Sequence, residues 1–216
     1  MLEYGQPSAF PFQHSDIPAF GISAFPLSML VMTQRLGILL SGSGTTYQNL
    51  ADRIADGSLP ACIAVVVASR PDAYGIERAR KLGHPCVVAK DPTEALRAHG
   101  AQWVAMCGWM RFWDPPGEFA GRTVNVHPSL LPAFGGKGMY GHHVHEAVLA
   151  HGCKVSGCTV HVVRGGYDTG PIIDQLAVRV EDGDTAEVLA ARVQAAEREL
   201  YPRALARLMS AASTRP

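Results

Sequence analysis

An asparagine and a histidine lie two residues apart in the stretch NVHPSLLP, residues 125–132. Side chains at this spacing point to the same face of an extended strand. Asn125 offers an amide donor and His127 a titratable ring, and the prolines that follow would end the strand. The spacing predicts two polar groups presented together at the rim of a sheet. The simpler alternative is a capped strand end with a hydrogen-bonded histidine.

A carboxylate follows about forty residues later in GGYDTGPII, residues 165–173. Asp168 lies in a Gly-rich loop between two predicted strands, a place where aspartate is usually a turn former. In open α/β sheets, however, ligands bind at the carboxyl ends of the strands, so we expect Asp168 on the same rim as Asn125 and His127. An amide, an imidazole and a carboxylate together suit acyl-group chemistry.

The stretch LLSGSGTTY, residues 39–47, has the pattern of a strand, a Gly-rich turn and a helix. Backbone N–H groups and the positive end of a helix dipole can bind an anion at such a turn. A dinucleotide fingerprint would need glycine at Tyr47 and an acidic residue after the second strand, which instead ends Ser69-Arg70. A single phosphate therefore fits better than NAD, and a plain strand–helix turn is the alternative.

Alternating apolar runs and helical patterns must position these groups. Short Ile/Val-rich runs are typical of parallel strands buried on both faces, and strands are predicted at 35–41, 62–69, 85–89, 102–108, 122–126, 155–163 and 172–180. Helices are predicted at 45–57, 73–83, 92–100 and 142–152, with a C-terminal helix after them. This alternation predicts an α/β fold, a three-layer sandwich with a mainly parallel, Rossmann-like sheet.

The C-terminal helix carries two further signals. Asp184 and Glu187 have the spacing of a capping box, so we expect the helix to begin there. Pro202 lies inside its pattern and is expected to kink or divide it.

Composition limits the function classes. The 216 residues contain 19 Lys and Arg against 19 Asp and Glu, a balance that disfavours a general nucleic-acid or membrane-surface protein. No apolar run approaches the roughly 18 residues of a membrane span. Five cysteines without a CxxC pair are expected to be buried small hydrophobes in a reducing, cytoplasmic compartment.

The chain is expected to form one domain over 32–210. Residues 1–31 lack Lys and Arg, contain four prolines and are predicted to be a disordered extension or an over-long start. An arm docked on its own or a partner subunit is the alternative. A monomer or a homodimer is expected.

These motifs resemble the folate-dependent formyltransferases. The resemblance rests on Asn125-x-His127-Pro-Ser-Leu-Leu-Pro followed by Tyr-Asp168-x-Gly-Pro, and it covers roughly 35–208. Within the family it is greatest to the enzymes that formylate glycinamide ribonucleotide, through SGSGTT, GWMRF, GGKGMYGHHVHEAVL and RVQAAERELYP. The GKGMYG segment and the Q-x-x-E of residues 194–197 are more specific than HPSLLP.

The resemblance implies formyl transfer from N10 of 10-formyltetrahydrofolate to the amine of glycinamide ribonucleotide, a step of purine biosynthesis. Asn125 and protonated His127 would donate hydrogen bonds to the oxyanion, and Asp168 would keep His127 charged and help pass the proton. The resemblance implies no metal and no covalent intermediate.

The resemblance also implies the binding residues. The phosphate would lie against Gly42, Ser43, Gly44, Thr45 and Thr46. Gln194 and Glu197 would reach the ribose or the glycinamide end. The residues expected to line the pteridine slot are Met110, Arg111, Phe112, Gly165, Gly166 and Tyr167.

The chain departs from the family at three places. Ser43 replaces the usual asparagine, and Cys158 replaces a frequent hydroxyl. The segment 90–102 is short where the family usually has a longer helix preceded by a basic phosphate ligand. Basic side chains that could substitute are Lys90, Arg97 and Arg70.

Alternative functions stay open at this point. The chain could be a formyltransferase or formyl-folate hydrolase with another acceptor, or a non-catalytic nucleotide- or folate-binding protein. A metal site at His142, His143 and His145 is disfavoured, because no acidic or thiol partner lies at ligand spacing. Trp103 is expected in the core and Trp109 in a pocket wall.

Overall fold

The computed structural model describes residues 33–213, so the prediction for 1–31 lies outside the described residues. The described chain forms seven strands: β1 (Gln34–Leu40), β2 (Ala61–Ala68), β3 (Cys86–Val88), β4 (Trp103–Met106), β5 (Thr123–His127), β6 (Val155–Val162) and β7 (Ile172–Arg179). Its helices are α1 (Thr45–Ala55), α2 (Gly75–Leu82), α3 (Thr93–Ala98), α4 (His142–Ala150) and α5 (Ala186–Ser213). Every predicted strand and helix is present.

The strands form one sheet in the order β3-β2-β1-β4-β5-β6-β7. The first five are parallel, and β6 and β7 are antiparallel to their neighbours. This confirms the predicted mainly parallel α/β sheet. The chain leaves β1 toward one edge of the sheet and later returns to β4 on its other side, and such a switch point opens a crevice at the carboxyl ends of the strands.

Apolar side chains fill both faces of the sheet. Leu36, Ile38 and Leu40 of β1 pack in one cluster, which also holds buried residues of α1 and α5. Leu39, between them, packs in the opposite cluster together with Leu96 of α3. Burial on both faces explains why the central strands β1, β2 and β4 are nearly continuous apolar runs, whereas β7 at the edge of the sheet alternates exposed and partly buried residues. Among the cysteines, Cys107 and Cys158 are buried as expected, whereas the other three are only partly buried.

The C-terminal helix is continuous through Pro202, and its cap differs from the prediction. Pro202 does not divide it, since α5 is one helix of 28 residues. The capping-box prediction is wrong: the N–H of Val188 donates to Thr185 Oγ1 at 3.3 Å, which makes Thr185 the cap. The Asp184 carboxylate instead accepts from the N–H of Glu181 and pairs with Arg192 at 2.6 Å.

Candidate active site

The Gly-rich turn after β1 exposes a row of backbone donors. Gly44 caps α1 with a φ of 72°, a left-handed conformation that glycine adopts without strain. A Cβ at Gly44 would lie only 2.8 Å from the Cα of Gly75, so glycine is also required by close packing. The N–H groups of Ser43, Gly44, Thr45 and Thr46 have no hydrogen-bond acceptor within residues 33–213. This arrangement suits an anion.

The end of β5 presents the predicted amide and imidazole. Pairing with β4 stops at Asn125, which lies opposite Met106, and β5 continues two residues further beside β6. Asn125 is half-buried and His127 is buried. The two side chains therefore share a face at the rim of the sheet, as their spacing predicted.

His127 is held by hydrogen bonds to the protein. Its Nε2 donates to the carbonyl of Phe134 at 2.8 Å, which fixes the proton on that nitrogen because a carbonyl only accepts. Its Nδ1 lies 3.4 Å from Asp168 Oδ2, a long contact. Nδ1 is therefore the nitrogen that remains for chemistry.

Asp168 is locked in a tight turn. Its φ is 55°, which is uncommon for a residue other than glycine, and its Oδ2 accepts from the N–H of Gly136 at 2.9 Å. The neighbouring Gly135 passes close to Leu131, since a Cβ there would lie 2.5 Å from a Leu131 methyl. The carboxylate is thus fixed between the loops that follow β5 and β6.

A second histidine joins this group, and sequence reasoning missed it. His161 of β6 lies directly opposite Asn125 in the sheet. Its Nδ1 donates to the carbonyl of Val162 at 3.1 Å, so Nε2 can accept from the Asn125 amide, also at 3.1 Å. The same Nε2 lies 3.5 Å from Asp168 Oδ1. His161 therefore orients the Asn125 amide, whose second N–H has no acceptor within residues 33–213 and can donate to a substrate.

Burial and charge act against each other on the two titrating groups. Burial lowers the pKa of His127 below its ordinary value, and it outweighs the opposing effects of the Asp168 charge and the Phe134 carbonyl. The expectation that Asp168 keeps His127 protonated is therefore not met at neutral pH. Burial acts to raise the pKa of Asp168, but the contacts with His161 and His127 and the hydrogen bond from the Gly136 N–H outweigh burial, so this pKa lies below its ordinary value.

One cleft of about 620 Å³ joins the turn after β1 to this polar group. It is lined by the three predicted catalytic residues Asn125, His127 and Asp168, and by the predicted substrate residues Gly42, Ser43, Gly44, Thr45, Thr46, Gln194 and Glu197. Of the predicted pteridine residues, Met110, Arg111, Phe112, Gly166 and Tyr167 line it. Gly165 does not, and its N–H donates to Asp114 Oδ1 at 3.3 Å.

The mouth of the cleft is apolar. Phe112 is 56% exposed and Tyr167 is 41% exposed, and their rings meet edge to face with centroids 5.4 Å apart. Trp109 forms part of the wall and Trp103 lies in the core, as predicted. Such a mouth suits a flat aromatic ligand.

The carboxyl group of Glu197 titrates near neutral pH. Burial raises its pKa to about 7, while the nearby charge of Arg198 opposes the shift. Glu197 lies on α5 beside Gln194, and both face the cleft near the turn after β1. A carboxyl group that is half protonated can donate or accept a hydrogen bond.

The three histidines of α4 do not form a metal site. His142 and His145 line the cleft, whereas His143 points away and its Nδ1 lies 3.3 Å from Glu146 Oε2. Within residues 33–213 no group of His, Cys, Asp and Glu has metal-binding geometry.

None of the three predicted basic substitutes lines the cleft. Arg97 is held between Glu94 at 2.7 Å and Glu118 at 2.6 Å. Arg70 pairs with Asp72 at 3.1 Å. Arg78 of α2 is a basic side chain that contacts the anion-binding turn directly, since its Nε donates to the Ser43 carbonyl at 2.8 Å.

Comparison with known proteins identifies the family of this chain. Residues 34–205 match the family model described as formyl transferase. The chain belongs to this family. Phosphoribosylglycinamide formyltransferase of Mycobacterium tuberculosis is 40% identical over 187 residues, which are 81% of this chain and 84% of that protein. The chloroplastic enzyme of that name from Arabidopsis thaliana is 38% identical over 183 residues, 78% of this chain and 63% of the relative.

Solved structures are similar to this chain in fold as well as in sequence. Glycinamide ribonucleotide transformylase 1 from Symbiobacterium toebii superposes with a TM-score of 0.79 at 40% identity, covering 88% of this chain and 93% of that one. The chain spans less than two thirds of the plant relatives it matches, 63% of one and 59% of another.

Within residues 33–213, no helix combines the length and apolar character that a membrane span requires.

Proposed function

We propose that the protein transfers a formyl group from 10-formyltetrahydrofolate to the amine of glycinamide ribonucleotide, a step of purine biosynthesis. One observation carries the proposal: Asn125, His127 and Asp168 share a cleft with a turn of free backbone donors. The volume of about 620 Å³ lies in the usual range for ligand sites and leaves room for two substrates to meet.

The reaction begins with attack of the amine on the formyl carbon. The carbonyl electron pair moves to oxygen, giving a tetrahedral oxyanion and an ammonium group. The free N–H of Asn125, held in place by His161, donates to the oxyanion. The proton lost by the ammonium reaches N10 of the folate as the bond from carbon to N10 breaks.

His127 stabilises the transition state more than the ground state. Its imidazole is neutral at pH 7 because burial lowers its pKa. Negative charge developing on the formyl oxygen raises that pKa again, so Nδ1 can take up the proton that the ammonium group loses and hold it while the oxyanion is present. Asp168, 3.4 Å away, supports the resulting imidazolium and can pass the proton, directly or through water. The three side chains handle the charge and the proton without a metal.

The remaining lining residues bind the two substrates. The N–H groups of the turn, Gly42 to Thr46, receive the ribonucleotide phosphate, and Gln194 and Glu197 receive its ribose or glycinamide end. The apolar mouth around Phe112 and Tyr167 receives the folate. We also propose a cytoplasmic enzyme, a monomer or a homodimer, that acts on small molecules and binds neither nucleic acid nor membranes.

An absorbance assay of formyl-folate consumption tests this proposal. We expect turnover only when glycinamide ribonucleotide is present. Equal turnover without the ribonucleotide would favour a formyl-folate hydrolase, and folate binding without turnover would favour another acceptor or a binding protein.

A further inference from the structure

We propose that Arg78 is a positioning residue for the anion site: through the Ser43 carbonyl, it aims the N–H of Gly44 at the phosphate of the substrate. The inference rests on the proposed function, since it concerns how the ribonucleotide is held. Arg78 lies on α2, outside all the sequence motifs that were predicted to bind substrate or to take part in catalysis.

The Arg78 side chain is itself held in place. Its Nε donates to the Ser43 carbonyl at 2.8 Å, and its Nη1 donates to Gln48 Oε1 of α1 at 3.2 Å. The guanidinium also lies over the ring of Tyr74, 5.3 Å from its centroid. Two donors of a rigid planar group thus link the turn to the first helix.

Planarity of the peptide bond converts this contact into an orientation. In a trans peptide the C=O and the N–H point in opposite directions. When Arg78 binds the carbonyl of Ser43, the N–H of Gly44 must therefore point away from α2. The preceding peptide is fixed in the same way, because the N–H of Gly75 donates to the Gly42 carbonyl at 3.1 Å and so directs the N–H of Ser43.

The turn and α2 are packed without space for adjustment. A Cβ on Gly44 would lie 2.8 Å from Gly75 Cα and 3.5 Å from Arg78 Cδ. Both oriented N–H groups have no acceptor within residues 33–213, and both residues line the cleft. Pre-oriented donors bind an anion more tightly, because little order has to be gained on binding.

Arg78 also brings positive charge to this place. In the described part of the chain, no carboxylate oxygen lies within 4 Å of its guanidinium, whereas Arg70 and Arg97 are both paired with carboxylates. Its charge therefore acts on the turn without compensation by a close partner. This explains how the site can hold a phosphate although the short segment 90–102 supplies no basic side chain to the cleft.

The test compares Arg78→Met with wild type on two acceptors, glycinamide ribonucleotide and the corresponding ribonucleoside without phosphate. We expect KM for the ribonucleotide to rise about tenfold or more, the scale of one lost hydrogen bond from a charged group. KM for the ribonucleoside and for the formyl donor should not change. Arg78→Lys keeps the charge but loses the planar pair of donors, so it should recover only part of the loss.

Arg80→Met is the matched control, because Arg80 lies on the same helix and pairs on the surface with Glu77 at 2.8 Å. It should leave both KM values unchanged. Equal effects of Arg78→Met on both acceptors would mean that Arg78 only stabilises the fold, and would overturn the inference.

Calorimetry with inorganic phosphate separates this inference from the proposed function. If the wild type does not formylate the ribonucleotide, the proposed function fails. Phosphate binding that is strong in wild type and weak in Arg78→Met would still support the role of Arg78. Equal binding by the two proteins, or none by wild type, would overturn it.

Discussion

The buried carboxyl group of Glu197 predicts how the stability of the protein depends on pH. Its pKa is raised by burial from an ordinary 4.5 to about 7. Because the folded state holds the proton more firmly than the unfolded state, stability is greatest below about pH 4.5. It falls as the pH rises toward 7 and then levels off. Glu197→Gln keeps the shape but cannot ionise, so the variant should not show this loss.

The magnitude follows from the shift. A difference of about 2.5 pKa units corresponds to roughly 3 kcal/mol at pH 8, and only about 1 kcal/mol of this penalty is present at pH 5. The advantage of Glu197→Gln over wild type should therefore grow by about 2 kcal/mol between these two values. This figure is an upper bound, because Glu197 reaches the cleft, where water screens its charge.

The assay is urea unfolding of wild type and Glu197→Gln at several pH values from 5 to 8. Any pH-independent effect of the substitution cancels when the differences are compared. Glu199→Gln is the matched control: Glu199 lies on the same helix, is 66% exposed and pairs with Arg203, so its difference from wild type should stay flat. A difference for Glu197→Gln that is also flat with pH would refute the assignment of a raised pKa.

Three further predictions follow from the site and the fold. Asn125→Ala, His127→Ala and Asp168→Asn should each lower kcat by at least about 100-fold in steady-state assays, the scale of a lost oxyanion donor or general acid. Near-normal turnover by all three variants would contradict the proposed mechanism. His161→Ala should lower kcat by about tenfold with little change in KM, because the Asn125 amide loses its orientation, and an unchanged kcat would contradict this. Thr185→Ala should cost about 1 kcal/mol in urea unfolding, and no loss would mean that Thr185 does not cap α5.

Periodicity and spacing predicted most of the fold. The runs of β1, β2 and β4 are apolar because both faces of the sheet are covered there, so the sequence carries the signal directly. Asn125 and His127 were predictable because a spacing of two residues fixes a shared face within a single strand. Asp168 was predictable from its motif, and from its place in a loop where a carboxylate has no core to serve.

His161 and Arg78 were not predictable in this way. The role of His161 depends on β6 lying beside β5 in one particular register, and nothing local to TVHVV fixes that neighbour. The role of Arg78 depends on how closely α2 approaches the turn after β1. The prediction of the α5 cap failed for a different reason. Asp184 and Thr185 are both residue types that cap helices well, and the ion pair with Arg192 holds the Asp184 carboxylate in another position.

Carbon-13 NMR of the reaction products tests the central claim most directly. The enzyme would be incubated with 10-formyltetrahydrofolate labelled at the formyl carbon and with glycinamide ribonucleotide. Formyl transfer predicts that the label appears in an amide on the ribonucleotide, at the rate at which the donor disappears. Label recovered as free formate, with the ribonucleotide unchanged, would contradict the account.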